Sequence, residues 1–309
     1  MGGWKLGREP CAVKILHRRW EKNWPELHAA VRGGFPDFVF ARDPAEPVGV
    51  PTFWYHDVSP DSIEADLRFL RENGYSTATA DDLLGHIEGR RACPPRSVVL
   101  CFDDGSVNLR SVVFPALRSF DARAVAFISP HFHTRIGGAD RRRPCTWDEI
   151  RDMHRSGLVD FQSHTLEHRY VPRWPEPVGL AGVDSGHQGR RSVPLPMTED
   201  FRIAREIIER ELDKEVLHLA FPRHDGTAAA VQAGVETGYR LFWWGAQPVP
   251  PEEIAGGLGL HASRVSGEFL RRMPGRGRLS LFTILRRRYL LALRSLTRGR
   301  PAVQEGEDA

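Results

Sequence analysis

Two adjacent carboxylates, Asp103 and Asp104, close the apolar run SVVLCFDDG from Ser97 to Gly105. Two histidines, His164 and His168, stand four residues apart in FQSHTLEH, Phe161 to His168. A single imidazole, His56, follows Tyr55 at the end of a third short apolar run. The HxxxH spacing predicts one face of a helix start, where two imidazoles can grip a divalent metal. Asp104 can complete a set of two histidines and one carboxylate, with positions left for water and substrate. Asp103, beside it, is then placed as a general base. Each signal is weak alone, because such histidines are common on surfaces and an Asp pair after a strand is a common helix cap. Together, at the ends of separate strands, they point to a hydrolytic site on an α/β barrel.

The rest of the chain supplies the elements that such a site needs. Short, nearly continuous apolar runs predict strands at Thr52–Tyr55, Ser97–Phe102, Ala124–Ser129, Val159–Ser163, Leu217–Phe221 and Arg240–Trp244, with a weaker one at Leu260–Val265. Helical patterns lie between them, with Ile63, Leu67 and Leu70 on one face and Phe201, Ala204, Ile208 and Leu212 on another. This alternation predicts parallel βαβ units. About seven strands predict a closed or nearly closed barrel. Residues 1–43 read as a basic lead-in, 44–268 as the catalytic barrel and 269–309 as a basic tail. The segment Arg169–Met197, rich in Gly, Pro and Arg, reads as a lid or as a disordered insertion.

The 309 residues fit one large domain. The four cysteines, Cys11, Cys93, Cys101 and Cys145, lack a CxxC spacing and read as reduced thiols. No apolar leader is evident near the N-terminus, so a cytoplasmic chain is expected. The net charge of +3 is unevenly placed. Ten arginines and no acidic residue lie between Glu268 and Glu305, which leaves 33 basic residues against 40 acidic ones elsewhere. Within that tail Phe282, Leu285, Tyr289, Leu293 and Leu296 recur at helical spacing, with Arg287, Arg294 and Arg298 on another side. The stretch 279–298 therefore reads either as a helix lying on an anionic membrane, at its inner face, or as one packed on the barrel with its basic side solvated. No nucleic-acid partner is expected, since no stacking platform accompanies the charge.

The motifs YHDVSP, ENGYSTAT, CFDDG, SHTLEH and LAFPRHDG, in this order along the chain, resemble the polysaccharide deacetylase family, carbohydrate esterase family 4 or the NodB-homology domain. The resemblance runs from about Thr52 to about Val265. It implies a distorted (β/α)7-type barrel, a divalent metal, zinc above all, and removal of an N-acyl group from an amino sugar or glycan. It matches Asp103 to the catalytic base and Asp104, His164 and His168 to the metal ligands. It matches His56 to a general acid and Arg264 to an arginine orienting Asp103, with His261 as a weaker alternative acid. It also implies an oxyanion-binding N–H near Pro222-Arg223. This chain departs from the family at Arg223-His224, which either alter the substrate wall or face solvent. Either Trp243 or Trp244 could line a sugar subsite rather than the core, and His131 and His133 could reach the site. Two other functions stay open: a carbohydrate-binding barrel without catalysis, and a deacylase of a non-sugar amide.

Overall fold

Strand β3 (Ser97–Asp103) is buried along its whole length and organises the molecule. Its residues alternate between two apolar layers, as the two-residue period of a strand requires. Val98, Leu100 and Phe102 face the surrounding helices, while Val99 and Cys101 face the barrel interior. In this computed structural model, which describes residues 28–133, 143–174 and 195–297, every strand pairing is parallel.

The other strands are β1 (Thr52–Tyr55), β2 (Ser76–Thr77), β4 (Ala124–Ile128), β5 (Val159–Ser163), β6 (His218–Ala220), β7 (Leu241–Gly245) and β8 (Leu260–Ser266). β1 closes a ring of seven by pairing with β8 through Phe53↔Val265 and with β3 through Thr52↔Val99 to Tyr55↔Phe102. The ring is a distorted (β/α)7 barrel, and β5 meets β6 through a single pair, Ser163↔Leu219. β2 is an extra two-residue strand on the start of β3, too short and polar to be read from periodicity. The main helices are α1 (Pro60–Glu72), α2 (Ala80–Ile87), α3 (Phe114–Phe120), α4 (Trp147–Arg155), α5 (Met197–Leu212), α6 (Ala228–Glu236) and α7 (Leu281–Thr297).

α2 blocks one end of the barrel. Its Leu83 and Leu84 pack with Val99, Val125, Phe127, Leu241 and Trp243 in the interior cluster. The capping box of Thr79 and Asp82 fixes where it starts. The opposite end, at the carboxyl ends of the strands, is where Asp103 and Arg264 lie.

Both flanks pack on the barrel. Phe35, Phe38 and Val39 join the outer core, as do Phe269, Leu270 and Met273. Arg272, buried, donates to Val39 O (2.8 Å) and Ala41 O (2.7 Å), and Arg278 donates to Phe38 O and Ala41 O. The sequence reading counted all of these arginines in one basic tail, 269–309. The structure spends Arg271, Arg272 and Arg278 on fastening the chain instead, because their forked donors match carbonyls and a carboxylate that need partners. Residues 1–27, the core of the lid candidate (175–194) and 298–309 lie outside the described residues.

Arg271 meets Asp66 (2.9 Å), which also accepts from the Tyr55 hydroxyl (3.1 Å). Burial pushes the Asp66 carboxyl up to about 7, against the pull of Arg271. A carboxyl raised in the folded state contributes fully below the unfolded pKa of about 4 and loses that contribution as pH rises to the folded value. Asp66→Asn should therefore gain on the native chain between about pH 4 and about pH 7. Urea midpoints of both proteins across that window check this; a constant difference would contradict it.

Candidate active site

Asp103 continues the inward side of β3 after Val99 and Cys101, so its carboxylate enters the barrel. The next residue leaves the strand. Asp104 has φ 71° and Gly105 φ 59°, a left-handed pair that separates the two carboxylates. Gly105 is required by space as well as by φ, since a Cβ there would stand 2.6 Å from Ile128 Cγ2 and 2.9 Å from His133 Cε1. Asp103 is thereby buried while Asp104 is half-exposed.

Arg264, fully buried on β8, donates from Nη1 to Asp103 Oδ1 (2.7 Å) and from Nε to Trp244 O (3.3 Å). The other carboxylate oxygen, Asp103 Oδ2, is buried with no hydrogen-bond partner among the described residues. Burial, the largest single influence, would raise this carboxyl, but the groups facing it, Arg264 foremost, together outweigh burial and hold Asp103 well below the usual carboxylate range. Arg264→Leu should cost about 3–5 kcal/mol, because it strands a buried charge. Urea unfolding at neutral pH checks this, and a loss under about 1 kcal/mol would show the pair to be solvated.

His164 is buried and anchored by its Nδ1 on Ala220 O (2.8 Å), which turns Nε2 toward Asp104 Oδ1 at 3.7 Å. His168 Nε2 stands 3.3 Å from the same oxygen. The donor atoms of Asp104, His164 and His168 all lie within 4.8 Å of one another. The two histidines do not share a helix face as the spacing suggested. The stretch 164–170 is irregular, and Thr165 (φ 67°) and His168 (φ 53°) are left-handed. The loop is held by Ser129 Oγ donating to His164 O (2.9 Å) and by Leu166 N–H donating to Asp200 Oδ1 (2.8 Å). The rings still converge, with centroids 4.8 Å apart.

His56, Asp103 and His224 form a second group with donor atoms within 4.8 Å of one another. It suits a cation poorly. Arg264 Nη2 lies 3.3 Å from His224 Nδ1, so a guanidinium already occupies that place. The first group fits a divalent ion: burial pushes the pKa of His164 down against the pull of Asp103 and Asp104, which favours the neutral imidazole, and with Nδ1 on Ala220 O its Nε2 is the atom turned to the group. The half-exposed Asp104 leaves coordination positions open to solvent. Two imidazoles and a carboxylate suit zinc, cobalt, nickel or iron.

His56 lies on the solvent side, 3.7 Å from Asp104 Oδ2, with its ring edge against Trp54. His224 belongs to the site, 3.7 Å from Asp103 Oδ2, while Arg223 is exposed above the Tyr170 ring. Burial and then Arg264 drive the His224 pKa well below the ordinary histidine value. His224 N–H donates to Phe221 O (2.9 Å) and Pro222 has no N–H, so in that pair of positions the Arg223 N–H remains as the oxyanion donor candidate.

Three possibilities that the sequence left open find no support in the structure. His261 accepts from Trp244 Nε1 (3.0 Å) and reaches Leu258 O (2.9 Å), packed on the outer side of β8 away from Arg264. Trp243 and Trp244 are both fully buried, one inside the barrel and one outside, so neither can stack on a sugar. His131 lies 4.0 Å from Glu167, and His133 is buried with Nδ1 on Cys145 O (2.8 Å); neither joins the ligand group. Trp54 is the aromatic residue that the sequence reading missed. Its ring centroid is 4.2 Å from that of His224. The signal was present, since Trp54 and His56 share the inward side of β1 at a spacing of two.

The polysaccharide deacetylase family model matches residues 90–242, which include Asp103, Asp104, His164, His168 and His224. The poly-β-1,6-N-acetyl-D-glucosamine N-deacetylase of Escherichia coli (strain K12) is 31% identical over 125 residues, 38% of this chain and 19% of that protein. The chain thus matches about a fifth of that relative's length. Among solved structures, a de-N-acetylase from Aggregatibacter actinomycetemcomitans superposes with TM-score 0.54 at 21% identity, covering 70% of this chain and 94% of the other. The Streptococcus pyogenes deacetylase PplD superposes with TM-score 0.55 at 17% identity, covering 78% and 98%. These superpositions speak for the fold, and the matched segment carries the motifs that the barrel brings together: this chain belongs to the polysaccharide deacetylase family.

Proposed function

We propose that this protein is a metal-dependent hydrolase that removes an N-acyl group, in the first place N-acetyl, from an amino sugar of a glycan. The observation that carries the reading is the pairing of two unlike carboxylates one residue apart. Asp104 converges with His164 and His168, while Asp103 keeps a buried, ionised oxygen with no hydrogen-bond partner among the described residues. A fold needs no such orphan, which costs stability, so the arrangement favours catalysis over simple carbohydrate binding.

Asp104, His164 and His168 would hold the ion. When bound, the metal supplies Lewis-acid polarisation of an acyl oxygen and lowers the pKa of water. Asp103 Oδ2 accepts the proton of the attacking water. Arg264 keeps that carboxylate ionised and fixes its other oxygen. The Arg223 N–H is the candidate donor to the oxygen on which charge develops. His56, 3.7 Å from Asp104 Oδ2, hands a proton to the amine as the C–N bond breaks. Trp54 holds the rings of His56 and His224 in place.

The name of the E. coli relative supports an N-acetylglucosamine polymer as the substrate class. The half-exposed His56 and Asp104 leave the site open at the barrel end, which suits a polysaccharide or a lipid-linked glycan precursor better than an enclosed small amide. The test is release of acetate and free amine from N-acetylglucosamine oligomers by the purified chain. Release that stops with a chelator and returns with zinc or cobalt is expected. Absence of release from every N-acylated sugar in the metal-loaded protein would overturn the reading.

A further inference from the structure

Helix α7 packs on the core by one side and turns its larger apolar residues away from it. Thr283 N–H donates to Ser280 Oγ (3.1 Å) and caps its start. Ile284 is buried against the outer core. One turn further on the same side, Arg288 bonds Glu268 and lies over the Phe269 ring, 4.8 Å from its centroid. These contacts fix the rotation of the helix about its axis.

That rotation sends the large apolar residues outward. Phe282, Leu285 and Leu290 are 75, 50 and 41% exposed. At 3.6 residues per turn they fall within an arc of roughly 140°. Arg286 and Arg287, both exposed, lie within and beside that arc. No Asp or Glu occurs between Glu268 and Glu305, so no acidic residue of this segment balances them. The side that packs on the core carries Ile284 and the partly buried Leu281, while Phe282 and Leu285 face away from it.

An apolar strip edged by arginines matches the boundary of an anionic bilayer, where apolar side chains enter the acyl layer and guanidinium groups meet phosphates. A second copy of the chain fits less well, since a self-complementary contact on this strip would bring two sets of like-charged arginines together. Among the described residues no helix is long and apolar enough to cross a membrane. We propose that α7 docks the protein on the surface of an anionic phospholipid bilayer, lying in the interface plane. The proposal is independent of the catalytic reading.

Flotation of the full chain with vesicles tests it, using phosphatidylcholine alone and an equimolar mixture with phosphatidylglycerol. Binding to the mixture only, weakened by added salt, is expected. Arg286→Glu combined with Arg287→Glu should lower partitioning at least ~25-fold, at about fivefold for each arginine removed. Phe282→Ser combined with Leu285→Ser should abolish it. All four residues are exposed, so an unchanged urea midpoint verifies folding in each variant. No binding to the anionic vesicles would overturn the proposal, as would binding indifferent to both double variants. So would a concentration-dependent dimer in sedimentation that Phe282→Ser with Leu285→Ser dissolves.

Discussion

Asp103→Asn should lower kcat by ~10²–10⁴-fold, the usual loss when a positioned general base is removed. The amide keeps the size of the side chain but cannot take a proton from water. KM should change little, because Asp103 is buried behind the ligand group and acts on the reacting water rather than on the sugar. The variant also leaves Arg264 without its ionised partner, so some loss of stability is expected as well. The two effects separate experimentally. A folded variant that keeps its metal yet turns over slowly has lost the base. Native kcat in a folded Asp103→Asn protein would remove Asp103 from the mechanism.

His164→Ala should abolish activity, and excess metal should not restore it at practical concentrations. His164 is the most deeply buried member of the group and is locked on Ala220 O. Losing a partner that merely orients a ligand costs ~10–100-fold in metal affinity or activity, and losing the ligand itself should exceed that. Chelation of the native protein should give the same loss, reversed by zinc or cobalt. Activity in His164→Ala comparable to that of the native chain would mean that the imidazole only fills space beneath the site.

The barrel was legible because its strands are covered on both faces. Runs such as Ser97–Asp103 and Leu241–Gly245 are almost wholly apolar and are separated by helical patterns, which is how parallel strands announce themselves. β2 escaped because two polar residues carry no period. The gathering of Asp104, His164 and His168 was legible from residue type and order, but the local geometry was not. His164 and His168 converge through left-handed Thr165 and His168, a backbone choice set by the tertiary contacts of Asp200 and Ser129. Periodicity cannot report such contacts. His224 was left open for the same reason, since its role depends on Arg264 arriving from β8, 40 residues away in sequence. The tail was misread in part. Composition shows ten arginines but not that Arg271, Arg272 and Arg278 find partners within the fold. Nor does spacing alone tell which side of α7 faces the core. Ile284 and Arg288 decide it, through Phe269 and Glu268.

Titration of metal-stripped protein with zinc, read as bound ions per chain, tests the central claim most directly. About one tightly bound ion is expected in the native chain and in Asp103→Asn, and none of comparable affinity in Asp104→Ala. Binding that survives Asp104→Ala but disappears on replacing His56 or His224 would place the ion in the wrong group of residues and contradict the account.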